Sequence, residues 1–480
     1  MKVKSLKIND FFILRNFSIT FHSNRSIMIG KNGCGKSTII ELLADIFGHL
    51  HKYFQLNDHT AAFVDGYQII YEILFKGKSL EIEIHSHYVD QVSNTFKPQI
   101  WINHEALSLA QIERQYGGMQ NLIPSKIVLS YAGISTHLKL LSEHFEKKYT
   151  SAIIKANNPY SLNPLNLPDE RPFIYIKPEH LAIIITSLLS SKEEAAANVL
   201  SSYVNIDINS CELEFVLKKP SWARKNSNES NKWWGIKGNI ALQFLGTIDQ
   251  YAHKEDFTEK TISYTFYGIP SLQDMFNELN AQNRCDIIFT ILDTLIYDDL
   301  LSDIKIKWKN NLGDIVEIDR LSEGQKQIIQ ICGINYIFGD IHNLLYLFDE
   351  PDVFLHPQWQ QEFLTKLASQ SINSHIIITT HNPIIIGDSN REDIHIIEAG
   401  QEKPNEFYSQ GRDVNSLLYD YFNINERNKF GEALLHDFYD AMNTQNYDIA
   451  EKKLKQLRNT FGTDDLEVVK ADSLYDDLAE

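Results

Sequence analysis

The chain has 480 residues, and its 45 basic and 63 acidic side chains leave it a net charge of −18. This charge repels nucleic acid, so contact with DNA or RNA would need a local basic patch or a partner protein. No apolar run reaches the ~18 residues that span a bilayer, and the first residues lack the apolar core of a secretory signal, so we predict a cytoplasmic protein with no membrane segment.

The N-terminal region predicts strands that lead into a phosphate-binding loop. Positions 1–25 alternate apolar and polar residues, which is typical of antiparallel strands. A short apolar strand at Arg25–Ile29 follows, and the sequence from Ser37 onward has the apolar spacing of a helix. The residues between them read Gly-Lys-Asn-Gly-Cys-Gly-Lys-Ser and match the P-loop pattern in full.

A P-loop binds the phosphates of a nucleotide. Its glycines let successive backbone N–H groups turn toward one anion, and the start of the following helix adds a partial positive charge. Lys36 would neutralise the β- and γ-phosphates, and the Ser37 hydroxyl would bind Mg²⁺. The sequence therefore predicts ATP and Mg²⁺ as ligands, with ATP held by Gly30, Asn32, Gly33, Cys34, Gly35, Lys36, Ser37 and Thr38.

Further strands and a long insertion follow the P-loop. We predict strands at 67–75 and 80–85, and a short apolar strand at 126–131 that joins the nucleotide-binding sheet. An insertion of mixed character spans 135–320 and lacks sustained heptads, which argues against a coiled-coil arm. Within it we predict helices near 178–203 and 271–300 and a strand pair at 213–217 and 304–309.

One segment of the insertion, 218–237, is basic and aromatic. Such a mixture suits phosphate contact and base stacking, so it is the best candidate for a nucleic-acid contact. The alternative, which we favour, is a polar loop whose tryptophans pack inward against the flanking strands. The residues concerned are Lys218, Lys219, Trp222, Arg224, Lys225, Lys232, Trp233, Trp234 and Lys237.

The sequence Leu-Ser-Glu-Gly-Gln at 321–325 resembles the signature motif of the ABC ATPase superfamily. Ser322 is a good N-cap, and the apolar spacing after it predicts a helix whose start can accept an anion. In this class of fold the motif lies far from its own P-loop and faces a γ-phosphate held by a second copy. We therefore expect Ser322, Gly324 and Gln325 to bind ATP across a two-fold homodimer. Glu323 departs from the usual small residue and places a negative charge near that phosphate.

The apolar run at 344–349 predicts a buried parallel strand that ends in two carboxylates. Asp349 would complete the Mg²⁺ shell, and Glu350 is placed to polarise the attacking water as a general base. A second apolar strand, at 376–380, ends in His381. Ligands bind at the carboxyl edge of such sheets, so His381 could contact the γ-phosphate and take part in hydrolysis.

The rest of the chain, from 401 to 480, predicts a mostly helical tail, with two or three short helices after 424 and an acidic end. Together the motifs predict an α/β fold. It would consist of an ABC-ATPase head with a mixed P-loop sheet and an antiparallel β subdomain, a large α+β insertion and the helical tail. The predicted divisions are 1–134, 135–320, 321–400 and 401–480.

With these motifs the chain resembles the ABC-type AAA ATPases of bacterial anti-phage systems, which are related to OLD-family and SMC-like ATPases. The resemblance rests on the P-loop, on IVLSYAG at 127–133, KWWGIKG at 232–238 and LSEGQKQ at 321–327, and on FDEPDVFLHPQW at 348–359. It covers most of residues 1–390 and is nearest to the Septu and retron ATPases of the PtuA type.

The resemblance implies an ATPase that forms a homodimer or a larger assembly and controls an HNH-type nuclease of the PtuB kind. The similar PARIS ATPase works with a TOPRIM-type nuclease instead, and the resemblance does not choose between these partners. The tail has no strand followed by Asp-x-Asp, so we expect no nuclease within this chain. The alternative function is a DNA-maintenance ATPase of the SMC or OLD type that acts without a dedicated nuclease.

Overall fold

The computed structural model describes residues 1–56, 66–88, 96–131, 135–156, 171–221, 232–234, 239–258, 260–370, 373–425 and 427–479. The chain divides into two compact units, Met1–Gly411 and Arg412–Glu480. From the sequence alone, the C-terminal region is predicted to start at 401 instead. The difference arises because 401–403 form an edge strand of the nucleotide-binding sheet.

The strands of the described residues are β1 (Lys2–Phe11), β2 (Leu14–Thr20), β3 (Arg25–Ile29), β4 (Tyr67–Phe75), β5 (Lys78–Tyr88), β6 (Phe96–Ile102), β7 (Glu105–Ala106), β8 (Lys126–Tyr131), β9 (Phe173–Tyr175), β10 (Asp207–Lys218), β11 (Lys254–Phe257), β12 (Thr261–Tyr267), β13 (Leu301–Lys309), β14 (Ile315–Glu317), β15 (Leu344–Asp349), β16 (Ser374–Thr379), β17 (Ile394–Glu398) and β18 (Gln401–Lys403).

The helices are α1 (Lys36–Leu56), α2 (Leu109–Tyr116), α3 (Thr136–Ala156), α4 (His180–Leu189), α5 (Glu194–Ser201), α6 (Asn239–Tyr251), α7 (Pro270–Glu278), α8 (Cys285–Tyr297), α9 (Glu323–Phe338), α10 (Pro357–Gln370), α11 (Pro383–Ile386), α12 (Val414–Phe422), α13 (Lys429–Asn443), α14 (Tyr447–Phe461) and α15 (Leu466–Ala479). Short 3₁₀ turns lie at Met119–Asn121, Ile318–Arg320 and Arg391–Asp393. None of the described helices combines the length and the apolar character that crossing a bilayer requires.

The N-terminal strands form an antiparallel sheet in the order β2-β1-β4-β5-β6-β7. Alternate residues of β4 are buried, as the period of a half-buried strand requires. Its buried Tyr71 lies edge-on to Phe47 of α1, with ring centroids 5.4 Å apart. This face therefore shares one core with the helix that follows the P-loop.

The nucleotide-binding sheet has the order β18-β17-β3-β16-β15-β8-β9 and is parallel except for β18. All six residues of β15 and of β16 are buried, which is why both read as continuous apolar runs. Their register pairs Asp349 with Thr379 on one side and with Tyr131 of β8 on the other. The carboxyl ends of these strands therefore form one edge of the sheet.

The predicted insertion contains its own antiparallel sheet, in the order β11-β12-β10-β13-β14. The predicted strand pair is confirmed, since Leu213 pairs with Ile306 and Phe215 with Ile304. The insertion also contributes β9 to the nucleotide-binding sheet, beside β8. A short strand of three residues carries no periodic signal of its own, so the sequence did not indicate this connection.

Each of the two long helices predicted in the insertion is in fact two helices. The first breaks between α4 and α5, where the Ser191 hydroxyl accepts a hydrogen bond from the Glu193 N–H at 3.1 Å. The second breaks between α7 and α8, where Asn280 and Asn283 have φ of 55° and 56°. Asparagine adopts this left-handed conformation more readily than most residues, and a helix cannot continue through it.

Much of the basic and aromatic segment lies outside the described residues, namely 222–231 and 235–237. In the described part, Lys232 pairs with Asp249 and Glu255, and the Trp233 indole donates to the Tyr264 hydroxyl at 3.1 Å. These contacts favour the interpretation as a loop packed on its neighbours.

The C-terminal unit contains α12 to α15, and three of these helices follow residue 424 as predicted. Its own core is formed by apolar residues at helical spacing from α13, α14 and α15. Among them are Leu434, Phe438, Leu454, Leu457 and Val468. The predicted α/β fold, with a mixed sheet that carries the P-loop, an antiparallel β subdomain, a mixed insertion and a helical tail, is therefore confirmed.

Candidate nucleotide-binding site

The P-loop connects β3 to α1, and its shape depends on glycine. Gly30 has a φ of 149°, and a Cβ atom at this position would lie 2.1 Å from the carbonyl oxygen of Ile397. No side chain fits in that space, so the turn out of β3 requires glycine. This turn brings the loop onto the sheet edge where β15 and β16 end.

Lys36 is buried in this loop, and its partners are well defined. Its Nζ donates to the carbonyl oxygens of Gly30 at 3.0 Å and Lys31 at 3.4 Å, and lies 2.7 Å from His381 Nε2. An ammonium group can only donate, so Nε2 accepts and the His381 ring is neutral with its proton on Nδ1. Burial lowers the pKa of Lys36, and burial together with the charge of Lys36 lowers the pKa of His381.

Asp349 ends β15 at the same edge. Its Oδ1 accepts a hydrogen bond from the Thr379 hydroxyl at 2.7 Å, and the Ser37 hydroxyl donates to the same carboxylate. Burial raises the pKa of Asp349, while these two hydrogen bonds and the nearby Lys36 oppose the rise.

These residues fit a magnesium ion. A carboxylate and a hydroxyl in contact supply the oxygen ligands that Mg²⁺ prefers, and this ion usually takes only one or two protein ligands beside phosphate oxygens and water. Among the described residues there is no group of three or more His, Cys, Asp or Glu side chains that could hold a metal ion. One carboxylate and one hydroxyl are the protein ligands that a Mg²⁺ site shared with phosphate oxygens would use.

Glu350 follows Asp349 and has a left-handed backbone, with a φ of 46°. This conformation is strained for a residue with a side chain and is typical of functional sites. Its Oε1 lies 3.4 Å from His381 Nε2, and a third of the side chain is exposed. The carboxylate therefore reaches solvent beside Lys36 and His381, where a general base would act.

The signature residues form the start of α9. Ser322 is its N-cap, and a capping box joins its hydroxyl and N–H to Gln325. The Gln325 amide also donates to the carbonyl oxygen of Tyr203 at 3.1 Å, and Glu323 pairs with Lys326 at 2.9 Å. The Gln325 side chain is thus used within the chain, the charge of Glu323 is compensated, and Ser322 is exposed.

Gly324 has a packing role that the sequence did not show. A Cβ atom there would lie 2.3 Å from the carbonyl oxygen of Phe354. Phe354 belongs to the loop after β15, and the side chains of Val353 and Phe354 in this loop are 53% and 61% exposed. The signature and this loop therefore form one surface with exposed apolar side chains.

Further residues at the site were missed by the sequence analysis. Tyr131 ends β8, and its phenol hydrogen-bonds Ser37 and Glu41; burial raises its pKa, so the phenol keeps its proton. The β1–β2 turn lies against the P-loop, because the side chain of Ile13 is 3.2 Å from the position that a Cβ atom on Gly35 would take. The adjacent Phe12 is exposed. The strand that ends in Tyr131 was predicted, but its register beside β15 carried no local signal, and neither did the turn.

The structure brings Lys36, Ser37, Asp349, Glu350 and His381 together, as the motifs require. A P-loop at the end of a central strand, beside a strand that ends in two carboxylates, defines a P-loop nucleotide-binding protein. Residues 1–386 match the AAA ATPase domain family, and the chain belongs to that family.

Two relatives extend over most of the chain. A protein of Escherichia coli described as "Retron Ec83 probable ATPase" is 22% identical over 492 residues, which cover 95% of this chain and 83% of the relative. A protein of Vibrio cholerae serotype O1 biovar El Tor described as "Retron Vc95 probable ATPase" is 22% identical over 425 residues, covering 83% and 73%.

Solved structures show only a distant likeness. An SMC head bound to the C-winged helix domain of ScpA aligns with a TM-score of 0.37 and 14% identity, over 84% of this chain and 97% of that one. The SMC head domain from Thermotoga maritima aligns with a TM-score of 0.34 and 13% identity, over 85% and 100%. Scores this low support no argument about the present chain.

Proposed function

We propose that the chain is a Mg²⁺-dependent ATPase of the ABC type that closes as a homodimer around ATP and controls a partner nuclease in defence against phage. The observation that carries the ATPase part is the single sheet edge where Lys36 contacts His381, His381 lies beside Glu350, and Ser37 contacts Asp349. These are the parts that phosphoryl transfer to water requires.

Each side chain has a distinct role in this proposal. Lys36 binds the β- and γ-phosphates, while Ser37 and Asp349 hold the metal ion. Bound Mg²⁺ would neutralise charge on those phosphates. Glu350 orients and polarises the attacking water, and His381 donates a ring N–H to the γ-phosphate, which requires a proton on Nε2 once Lys36 turns to the nucleotide.

The dimer part of the proposal is supported by the surface around the signature. Ser322 caps an exposed helix start, which can bind an anion. The adjoining loop exposes Val353 and Phe354, two apolar side chains that a second copy would cover. In this arrangement the γ-phosphate held by one copy meets Ser322 of the other, so ATP stabilises the closed form.

The defence part is supported by the two relatives, both described as retron ATPases. In this proposal the ATP-closed dimer would control the nuclease because its open and closed forms present different surfaces to a partner. The acidic chain itself repels nucleic acid, which suits a subunit that leaves chemistry on DNA to another protein.

The test is co-expression with the product of the neighbouring gene, followed by native mass spectrometry with and without ATP. We expect a complex of two ATPase chains with a nuclease subunit, and ATP should increase the dimeric form. Steady-state phosphate release measures turnover in the same sample. Repeated absence of any second protein would contradict the nuclease part, and absence of phosphate release would contradict the ATPase part.

A further inference from the structure

We propose that Thr379 and Thr380 form a pair of hydroxyl clamps, in which Thr379 positions Asp349 and Glu350 for hydrolysis and Thr380 fastens the loop at Asp352 to the turn of His381. The inference rests on the ATPase function proposed above and concerns residues to which no motif assigns a role. Both threonines are fully buried at the end of β16, directly before His381.

Thr379 contacts both residues of the carboxylate pair. Its Oγ1 lies 2.7 Å from Asp349 Oδ1 and 2.9 Å from the backbone nitrogen of Glu350. An N–H can only donate, so the hydroxyl oxygen accepts from Glu350 and its single proton goes to Asp349. One hydroxyl thereby fixes the metal-binding carboxylate and the backbone of the general base.

The second of these bonds restrains a strained residue. Glu350 has a φ of 46°, a conformation that costs a residue with a side chain free energy and persists only where its surroundings enforce it. The Thr379 oxygen holds the Glu350 N–H in that conformation. Without it, the N–H would be left unpaired and the backbone could relax, which would move the carboxylate away from His381.

Thr380 repeats the arrangement one residue later. Its Oγ1 donates to Asp352 Oδ2 and accepts from the backbone nitrogen of Asn382, each at 2.9 Å. Asp352 is buried and begins the loop whose Phe354 carbonyl packs on Gly324. Thr380 therefore ties the turn that carries His381 to the loop that supports the signature.

The two clamps differ in what they hold. Thr379 acts on the groups that bind the metal ion and activate water, so its loss should change the response to Mg²⁺. Thr380 acts on the loop beside the signature, so its loss should leave the response to Mg²⁺ unchanged and shorten the lifetime of the ATP-bound dimer. This division separates both roles from a general contribution to stability.

The experiment compares Thr379→Val, Thr379→Ser, Thr380→Val and Thr380→Ser with the unmodified chain. Valine keeps the shape and removes the hydroxyl, whereas serine keeps the hydroxyl. Thr186→Val is the matched control, because Thr186 is equally buried and its hydroxyl donates to a carbonyl of its own helix, that of Ala182, at 2.7 Å. The readouts are kcat, KM for ATP, the Mg²⁺ concentration for half-maximal rate, dimer lifetime and melting temperature.

We expect Thr379→Val to lower kcat and to raise the half-maximal Mg²⁺ concentration, each by about 10- to 100-fold, which is typical of lost support to a metal ligand. Thr379→Ser should restore both to within about threefold. Thr380→Val should shorten the dimer lifetime without a change in the Mg²⁺ response, and Thr380→Ser should restore it. The inference is overturned if Thr379→Val matches Thr186→Val, or if the serine variants are as impaired as the valine variants.

A second measurement separates this inference from the proposed function. The affinity of a fluorescent non-hydrolysable ATP analogue is measured with and without Mg²⁺. If the unmodified chain shows no turnover but Mg²⁺ strengthens analogue binding in it and not in Thr379→Val, the ATPase proposal fails and the support that Thr379 gives to the metal-binding Asp349 stands. If Mg²⁺ strengthens analogue binding equally in the unmodified chain and in Thr379→Val, the role proposed for Thr379 is wrong, whether or not the chain hydrolyses ATP.

Discussion

The sheet edge and the start of α9 both carry residues predicted to bind nucleotide, but they differ in where their polar groups are used. At the sheet edge, side chains from distant parts of the chain contact one another. Lys36 contacts His381, and His381 lies beside Glu350. Asp349 is held by Thr379 of the neighbouring strand. At α9, the side chain of Gln325 bonds its own helix start and Tyr203, and Ser322 is exposed. The first site is assembled from side chains of one chain, whereas the second presents an exposed helix start.

The largest effect is expected from Glu350→Gln, which tests the sheet edge alone. The amide keeps the size of the side chain and cannot act as a base, so the rate of hydrolysis should fall about 10²- to 10⁴-fold while ATP still binds. A phosphate-release assay and a nucleotide-binding titration measure the two effects. The ATP-bound dimer should also live longer, because it is lost by hydrolysis.

Glu392→Gln is the control for this variant. Glu392 is an exposed carboxylate of the same unit and is not one of the residues that form the sheet-edge site. Its rate should equal that of the unmodified chain. If Glu350→Gln hydrolyses ATP as fast as this control, Glu350 is not the general base.

The next effect concerns the start of α9. Gly324→Ala places a Cβ atom 2.3 Å from the Phe354 carbonyl oxygen, so the loop after β15 must move. We expect turnover and dimer formation to fall about tenfold or more, while the affinity of a single chain for ATP stays within about twofold, because the P-loop itself is unchanged. Analytical ultracentrifugation and nucleotide titration separate these quantities.

Gly246→Ala serves as the control, because a Cβ atom at that helical glycine meets no atom within 4 Å. Equal losses of ATP affinity and of dimer formation in Gly324→Ala would mean that the two regions are not independent, and the comparison would fail.

These regions also show what a sequence can predict. The strands β3, β4 and β8 were predicted with their observed bounds, because alternation or an apolar run between turn residues is a local signal. Lys36, Asp349, Glu350 and His381 were found because their motifs are short. The assignment of ATP contacts to Ser322, Gly324 and Gln325 stays a prediction, as does the role of the other P-loop residues.

Contacts between distant parts of the chain could not be predicted. Thr379 and Tyr131 flank Asp349 only because β16 and β8 pair with β15 in a particular register, which no local pattern specifies. The need for glycine at 324 depends on the path of a loop 30 residues later, at Phe354. In each case the deciding neighbour is remote in sequence.

The smallest effect is expected at the other end of β16. His375 is fully buried, its Nδ1 accepts from the Val3 N–H and its Nε2 bonds Ser26 Oγ, both at 3.0 Å. Burial lowers its pKa from 6.5 to about 3. Between these values the unfolded chain binds the proton and the folded chain does not, so stability falls as the pH falls through this window, by at most about 1.4 kcal/mol per pH unit.

Melting temperatures between pH 7.5 and pH 5 measure this dependence. His375→Gln should show a shallower decline than the unmodified chain, and His22→Gln, which changes an exposed histidine, should not. An unchanged decline in His375→Gln would show that other groups set the pH dependence, and the assignment to His375 would be wrong.

The central claim, that the sheet edge of one copy acts with the signature of another, is tested most directly by mixing two inactive variants. Lys36→Ala removes the P-loop lysine and leaves the signature intact, whereas Ser322→Arg blocks the signature and leaves the P-loop intact. In a mixed dimer, one site combines an intact P-loop with an intact signature. The account predicts that mixing restores about a quarter of the unmodified phosphate-release rate, since half of the randomly formed dimers carry one working site of two. No restoration, with mixed dimers shown to form by native mass spectrometry, would contradict it.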